Sequence, residues 1–187
     1  MINKVILTGN IKNLKMEEEK INCDIVVQRL SHRADIIPVV ADRDILCGID
    51  LNTPVEIRGY VRTRNENKRL VLTVVATQAR NCLKGYKNQV LLTGSICKEP
   101  QINEKRIAHL IIGTACAYIP CVAWDPVTEY IKDMKPGEFV ILAGRLQSRT
   151  YHKIVDGAEK AIETYEIAVS MIEEDEDHES NNRANEA

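Results

Sequence analysis

Arginine recurs at alternate positions in two segments of this chain. In VEIRGYVRTR, residues 55–64, Val55, Ile57, Gly59 and Val61 share one parity, and Glu56, Arg58, Tyr60, Arg62 and Arg64 share the other. In VILAGRLQSRTY, residues 140–151, Val140, Leu142, Gly144 and Leu146 alternate with Ala143, Arg145, Gln147, Arg149 and Tyr151. A β-strand sends successive side chains to opposite faces, so each segment carries one apolar face and one arginine face. A guanidinium keeps its charge and offers paired N–H donors that match a phosphate, while a neighbouring aromatic ring can stack on a base. Such a row suits a phosphate backbone; the plain alternative is a solvated strand face.

The two segments are parts of a repeat. NKVILTGNI at 3–11 returns as NQVLLTGSI at 88–96, and VEIRGYVRTR as VILAGRLQSR, both at an offset of 85 residues. IIPVVAD around Pro38 answers YIPCVAW around Pro120. A unit of roughly eighty residues is thus present twice, joined near Leu83, Lys84 and Gly85. In the first copy VILTGNI, NCDIVV, DIIPVV, VEIRGYVRT and RLVLTVVAT are short Val/Ile/Leu/Thr-rich runs separated by charges or turn residues, which reads as five strands. Gly9 and Gly94, inside the opening strands, predict a bend where backbones approach closely. DPVTEYIKDMK at 125–135 places Val127, Tyr130, Ile131 and Met134 at helical spacing, with Asp125 as N-cap and Pro126 in the first turn. Three strands, a helix and two strands is the pattern of a small closed barrel of the OB type, or of an unrelated five-stranded roll.

The aromatic residues divide unevenly between the copies. Of eight, only Tyr60 lies before residue 85; Tyr86, Tyr118, Trp124, Tyr130, Phe139, Tyr151 and Tyr165 follow it. Tyr118, Pro120, Val122 and Trp124 share parity in one strand. Their counterparts in the first copy include Ile36 for Tyr118 and Asp42 for Trp124, and Glu66 stands for Tyr151. Aromatics that filled a core would leave something large and apolar in the other copy. Acidic counterparts at two of three positions therefore predict that these rings are exposed.

Composition narrows the function classes. The 187 residues carry a net charge of -2, distributed as +4 over residues 1–85, zero over 86–172 and -6 over 173–187. The body is mildly basic, and the tail EEDEDHESNNRANEA has no apolar residue larger than alanine, which predicts disorder. No apolar run approaches the ~20 residues of a membrane span, and the opening MINKVILTGN lacks a signal-peptide layout, so a cytoplasmic protein without membrane association is expected. The six cysteines, Cys23, Cys47, Cys82, Cys97, Cys116 and Cys121, form no CxxC pair and are read as buried thiols. His32, His109, His152 and His178 are scattered, and GxxxxGK[ST], HExxH and GxSxG are all missing. Neither catalysis, cofactor nor metal is expected.

The run YIPCVAWDPVTEYIKDMKPGEFVILAGRLQSRTY resembles the second half of the bacterial single-stranded DNA-binding protein domain: a strand ending in an aromatic, a helix, a tight turn, then G-R-L-x-[ST]-R-x-aromatic. NQVLLTGSI resembles its first strand. The resemblance covers about 88–172 well and 3–80 more weakly. It implies an all-β fold with one short helix per unit, as two tandem five-stranded OB barrels: 1–83, basic and poor in aromatics, and 86–172, followed by the acidic tail 173–187. It also implies base stacking by Tyr118, Trp124 and Tyr151 and backbone contacts by Arg145 and Arg149. Lys153 and Lys160 are the cations of the insertion YHKIVDGAEKAIETY, expected to form a long hairpin. Arg58, Arg62 and Arg64, with Tyr60 as a further stacking residue, are the first unit's candidates. The tail is shorter than the family's and lacks its apolar tip.

The function implied is non-catalytic binding and protection of single-stranded DNA in replication, recombination, repair or conjugative transfer. A homodimer presenting four OB folds is expected, with replication or repair proteins as possible partners. The alternative is an OB-fold adaptor within a primosome or replication complex.

Overall fold

The computed structural model describes residues 1–29, 31–66, 69–83, 86–115, 117–155 and 158–175, with backbone alone for 151–155, 158 and 160. The chain is almost entirely β. In the first half the strands are β1 (Asn3–Met16), β2 (Lys20–Gln28), β3 (Ala34–Asp42), β4 (Val55–Glu66) and β5 (Arg69–Asn81). β1 pairs with β2, β2 with β3, β4 with β5 and β4 back with β1, all antiparallel, and β3 runs parallel to β5 through Val39–Val74 and Val40–Val75. These pairings close a five-stranded barrel.

One strand serves two neighbours because β1 bends in its middle. Val5–Gly9 faces β4, whereas Asn10–Met16 faces β2. At the bend a Cβ on Gly9 would stand 2.2 Å from the Val26 carbonyl oxygen, so the close approach predicted there requires glycine. Gly94 repeats the relationship, 2.3 Å from the Gly113 carbonyl oxygen.

The second half contains β6 (Asn88–Ile96), β7 (Gln101–Ile102), β8 (Ala108–Gly113), β9 (Tyr118–Ala123), α1 (Thr128–Ile131), β10 (Phe139–Val155) and β11 (Ala158–Glu174). Its pairings follow the earlier order: β6 with β8, β8 with β9, β9 parallel to β11, β11 with β10, and β10 back with β6. A register shift occurs at Arg58/Gly59 in β4 and at Ala143/Gly144 in β10. β10 and β11 pair continuously to Val155–Ala158, so the insertion lengthens this hairpin.

The halves meet where β1 and β6 run antiparallel with Val5 opposite Val90. The hydrogen bonds beside this pair come in matched sets. Ile2 N donates to Thr93 Oγ1 and Lys87 N to Thr8 Oγ1, each at 2.6 Å. Asn3 Nδ2 donates to the Val61 carbonyl, and Asn88 Nδ2 to that of Leu146. Each partner lies 85 residues from its equivalent, so the junction is built as two copies of one contact across a local two-fold. Apolar faces of both halves, including Val5, Leu7, Ile57, Val61, Val90, Leu92, Leu142 and Leu146, are buried in a continuous core.

Several expectations need correction. Among the described residues the first half has no α-helix: Arg43–Leu46 is a 3₁₀ turn. α1 is only four residues long and starts from Val127, and the Asp125 carboxylate pairs with Arg106 Nε at 3.0 Å instead of capping it. Tyr130, assigned to its apolar face, is exposed, whereas Ile131 and Met134 are buried. Cys23 and Cys121 are buried thiols, but Cys47 and Cys97 are exposed; Cys116 lies outside the described residues. The tail begins later than 173, since β11 reaches Glu174 and Asp175 N donates to the Phe139 carbonyl at 2.8 Å; residues 176–187 lie outside the described residues. No helix among the described residues is long and apolar enough to cross a membrane.

Candidate nucleic-acid interface

Tyr118 opens β9 and Trp124 follows its end. Between them Ile119, Cys121 and Ala123 point into the core, while Tyr118 is 67% and Trp124 41% exposed. Tyr118 stays mostly in water and Trp124 keeps a part of its surface open, while their backbone is hydrogen-bonded. The Trp124 carbonyl accepts from Val127 N at 2.9 Å as the chain turns into α1. Tyr118 N donates to Thr63 Oγ1, at 3.1 Å, which belongs to β4 of the other half. The exposed tyrosine therefore sits beside the arginine strand of the first half. Ile36 and Asp42, the repeat counterparts, are exposed too.

The arginines fall into three conditions. Arg149 is exposed and Arg62 half-buried, and neither forms an ion pair among the described residues. Arg64 pairs with Glu66 at 2.6 Å, both exposed, an arrangement water weakens to at most about 1 kcal/mol. Arg58 and Arg145 are committed to internal partners. Tyr60 is half-buried. Tyr151, Lys153 and Lys160 lie on the long hairpin's backbone, and their side chains lie outside the described residues.

Glu56 is the centre of the first commitment. It shares parity with the arginines yet is only 4% exposed, because Arg58 Nε at 2.9 Å, Arg80 Nη2 at 2.8 Å and Lys87 Nζ at 3.9 Å close over it. Burial pushes its carboxyl up, but the hydrogen bonds and charges of Arg58 and Arg80 outweigh this and hold it below the usual range. Its counterpart is Ile141, so an apolar residue fits the same place in the fold.

Arg145 belongs to a second group, which crosses the junction. Its Nη1 lies 3.4 Å from Asp35 Oδ2 and its Nη2 donates to Gln147 Oε1 at 2.9 Å; Gln147 in turn donates to Glu166. Asp35 is 1% exposed and is gripped by Arg29 through both carboxylate oxygens. Burial lowers the pKa of Arg145, and the charge of Arg29 lowers it further. The polar face of β10 thus starts as a covered surface and becomes solvated only toward Arg149.

Arg80, Lys87, Arg29, Asp35 and Tyr86 were not singled out from the sequence. Arg80 was within reach, since it stands directly opposite Glu56 in the β4–β5 register. Arg29 and Asp35 flank the β2–β3 turn, and nothing local shows that Arg145 joins them.

No protein-family model matches the sequence, and no curated protein matches it. Among solved structures, the wild-type single-stranded DNA binding protein from Thermus aquaticus superposes with a TM-score of 0.70 at 15% identity, covering 92% of this chain and 92% of that one. A deletion mutant of that protein gives a TM-score of 0.66 at 14% identity, covering 92% and 94%. This chain shares their fold over nearly its whole length.

Proposed function

We propose that this chain binds single-stranded DNA without catalysing any reaction on it, using two OB-type barrels in tandem, residues 1–83 and 86–172. The observation that carries the reading is the exposure of Tyr118 and Trp124 at the start and just past the end of β9, with Tyr118 bonded to the arginine strand of the other half, within a fold shared with a single-stranded DNA binding protein. Rings that keep an exposed face on a hydrogen-bonded backbone are platforms for bases, each stacked base adding ~1–3 kcal/mol. Tyr151 extends the stacking surface, and Arg62, Arg64, Arg149, Lys153 and Lys160 follow the phosphates, with Arg58 and Arg145 at the edges of their own ion-pair groups. Tyr60 is a lesser stacking residue. The first half, poor in aromatics, serves as scaffold and basic track.

The matched hydrogen bonds at the junction support the tandem arrangement, since one chain encloses what two copies of a single unit would form. Two such chains would present four barrels for a strand to wrap, and symmetric dimers are the commonest oligomers. Light scattering at micromolar concentration is expected to give a mass near twice 21.1 kDa; a monomer that still binds DNA contradicts the four-barrel assembly. A cytoplasmic role in replication, recombination, repair or conjugative transfer follows from this reading. A gel-shift series with mixed-sequence oligonucleotides tests binding itself. Retardation without sequence preference supports it, and no retardation at low salt leaves the adaptor role.

A further inference from the structure

A cleft of about 520 Å³ opens at the junction of the halves, lined by Val27, Gln28, Arg29, Asp35, Asn88 and Arg145, with Tyr86 also on its wall. On its wall two guanidiniums face the single carboxylate of Asp35, and the next carboxylate, Glu166, is reached only through Gln147. Arg145 and Arg29 repel each other there, and burial disfavours the charge of Arg145. An anion entering the cleft would relieve both effects. At the same wall Tyr86 keeps 66% of its surface exposed, with an aromatic face available.

The fold does not require this group. The repeat places Tyr60 where Arg145 stands and Ala117 where Asp35 stands, so the equivalent positions of the other half carry no charged pair. A half-buried charge group present on one side only is weakly explained by stability. The cleft takes its wall from both halves, Arg29 and Asp35 from the first and Asn88 and Arg145 from the second.

We infer that this cleft holds one nucleotide of a bound single strand, its phosphate between Arg29 and Arg145 and its base against the ring of Tyr86. The inference rests on the single-strand binding proposed above and adds a site to it. Guanidinium pairs suit a phosphate, and the open cleft lets the strand enter and leave.

The test uses the full chain and a fluorescently labelled oligo(dT). Tyr86→Ala is expected to weaken binding about fivefold or more with an unchanged melting temperature, because the ring is exposed, and Tyr86→Phe to restore most of the loss. Arg145→Gln leaves Asp35 paired with Arg29 and is expected to lower the slope of log K against log[salt] by about 0.7. Photocrosslinking with an oligonucleotide carrying 5-iodouracil is expected to label the peptide containing Tyr86. A native chain that binds DNA, with Tyr86→Ala binding equally well and no label on that peptide, overturns this site alone. A native chain that binds no DNA overturns both the site and the function on which it rests.

Discussion

The backbone amide of Tyr118 donates to the hydroxyl of Thr63 across the junction, at 3.1 Å. That bond ties the start of the aromatic strand in the second half to the arginine strand of the first. Arg62 and Arg64 flank Thr63 in the chain and, by strand alternation, point to the other face of β4, so the exposed ring sits at the edge of the strand whose opposite face carries these cations.

Removal of the ring tests this edge. Tyr118→Ala is expected to weaken single-stranded DNA binding by ~1–3 kcal/mol while leaving the melting temperature within a degree or two, as the side chain is mostly in water. Equilibrium titration and thermal melts on the same preparation read the two effects separately. A large fall in melting temperature would show that the ring is packed.

The arginines are not equivalent, and salt dependence separates them. Each phosphate neutralised on a single strand contributes ~0.7 to the slope of log K against log[salt]. Arg149→Ala is expected to remove about one such contribution. Arg58→Ala is expected to remove less, because Arg58 already pairs with the buried Glu56. Equal reductions in the two variants would mean that the ion pair opens on DNA binding.

Glu56 makes a prediction about pH. Its folded-state pKa is depressed by Arg58 and Arg80, which together outweigh burial. The stability it contributes is therefore complete above the ordinary glutamate value of about 4.3 and is lost as pH falls through its lower folded value. Urea melts from neutral pH into the acid range are expected to show this loss in the native chain and to lack that part of it in Glu56→Ile. At neutral pH Glu56→Ile is expected to be neutral or stabilising, as the counterpart Ile141 is accommodated and an apolar residue commonly replaces a buried ion pair without cost. The same substitution frees Arg58 and Arg80 for phosphates and is expected to steepen the salt slope. An acid transition identical in both proteins would contradict the assignment.

The strand pattern and the repeat were legible because alternation and glycine placement act locally: Val55, Ile57 and Val61 are all buried as their parity required. Parity separates two faces but does not say what covers each. Glu56 and Gln147 are buried on the polar face because Arg80 and Lys87 close over one and the other half of the chain covers the strand carrying the other. For the same reason the sequence assigns Arg145 to the phosphate backbone without showing its pairing with Asp35, 110 residues away. Apolar spacing predicts a helix that runs to Met134, whereas regular helix ends at Ile131 and Met134 is buried from a turn. Exposure of Tyr118 and Trp124 was legible from their acidic or smaller repeat counterparts, a comparison few chains offer.

The fluorescence of Trp124 reads the central claim directly, since it is the only tryptophan in the chain and is 41% exposed at the end of the aromatic strand. Titration with poly(dT) at two salt concentrations is expected to quench it in a saturable way, with weaker binding at higher salt, and Trp124→Ala is expected to lose ~1–3 kcal/mol of affinity while remaining folded. Fluorescence unchanged at saturating poly(dT), together with full affinity in Trp124→Ala, would contradict base stacking on this strand.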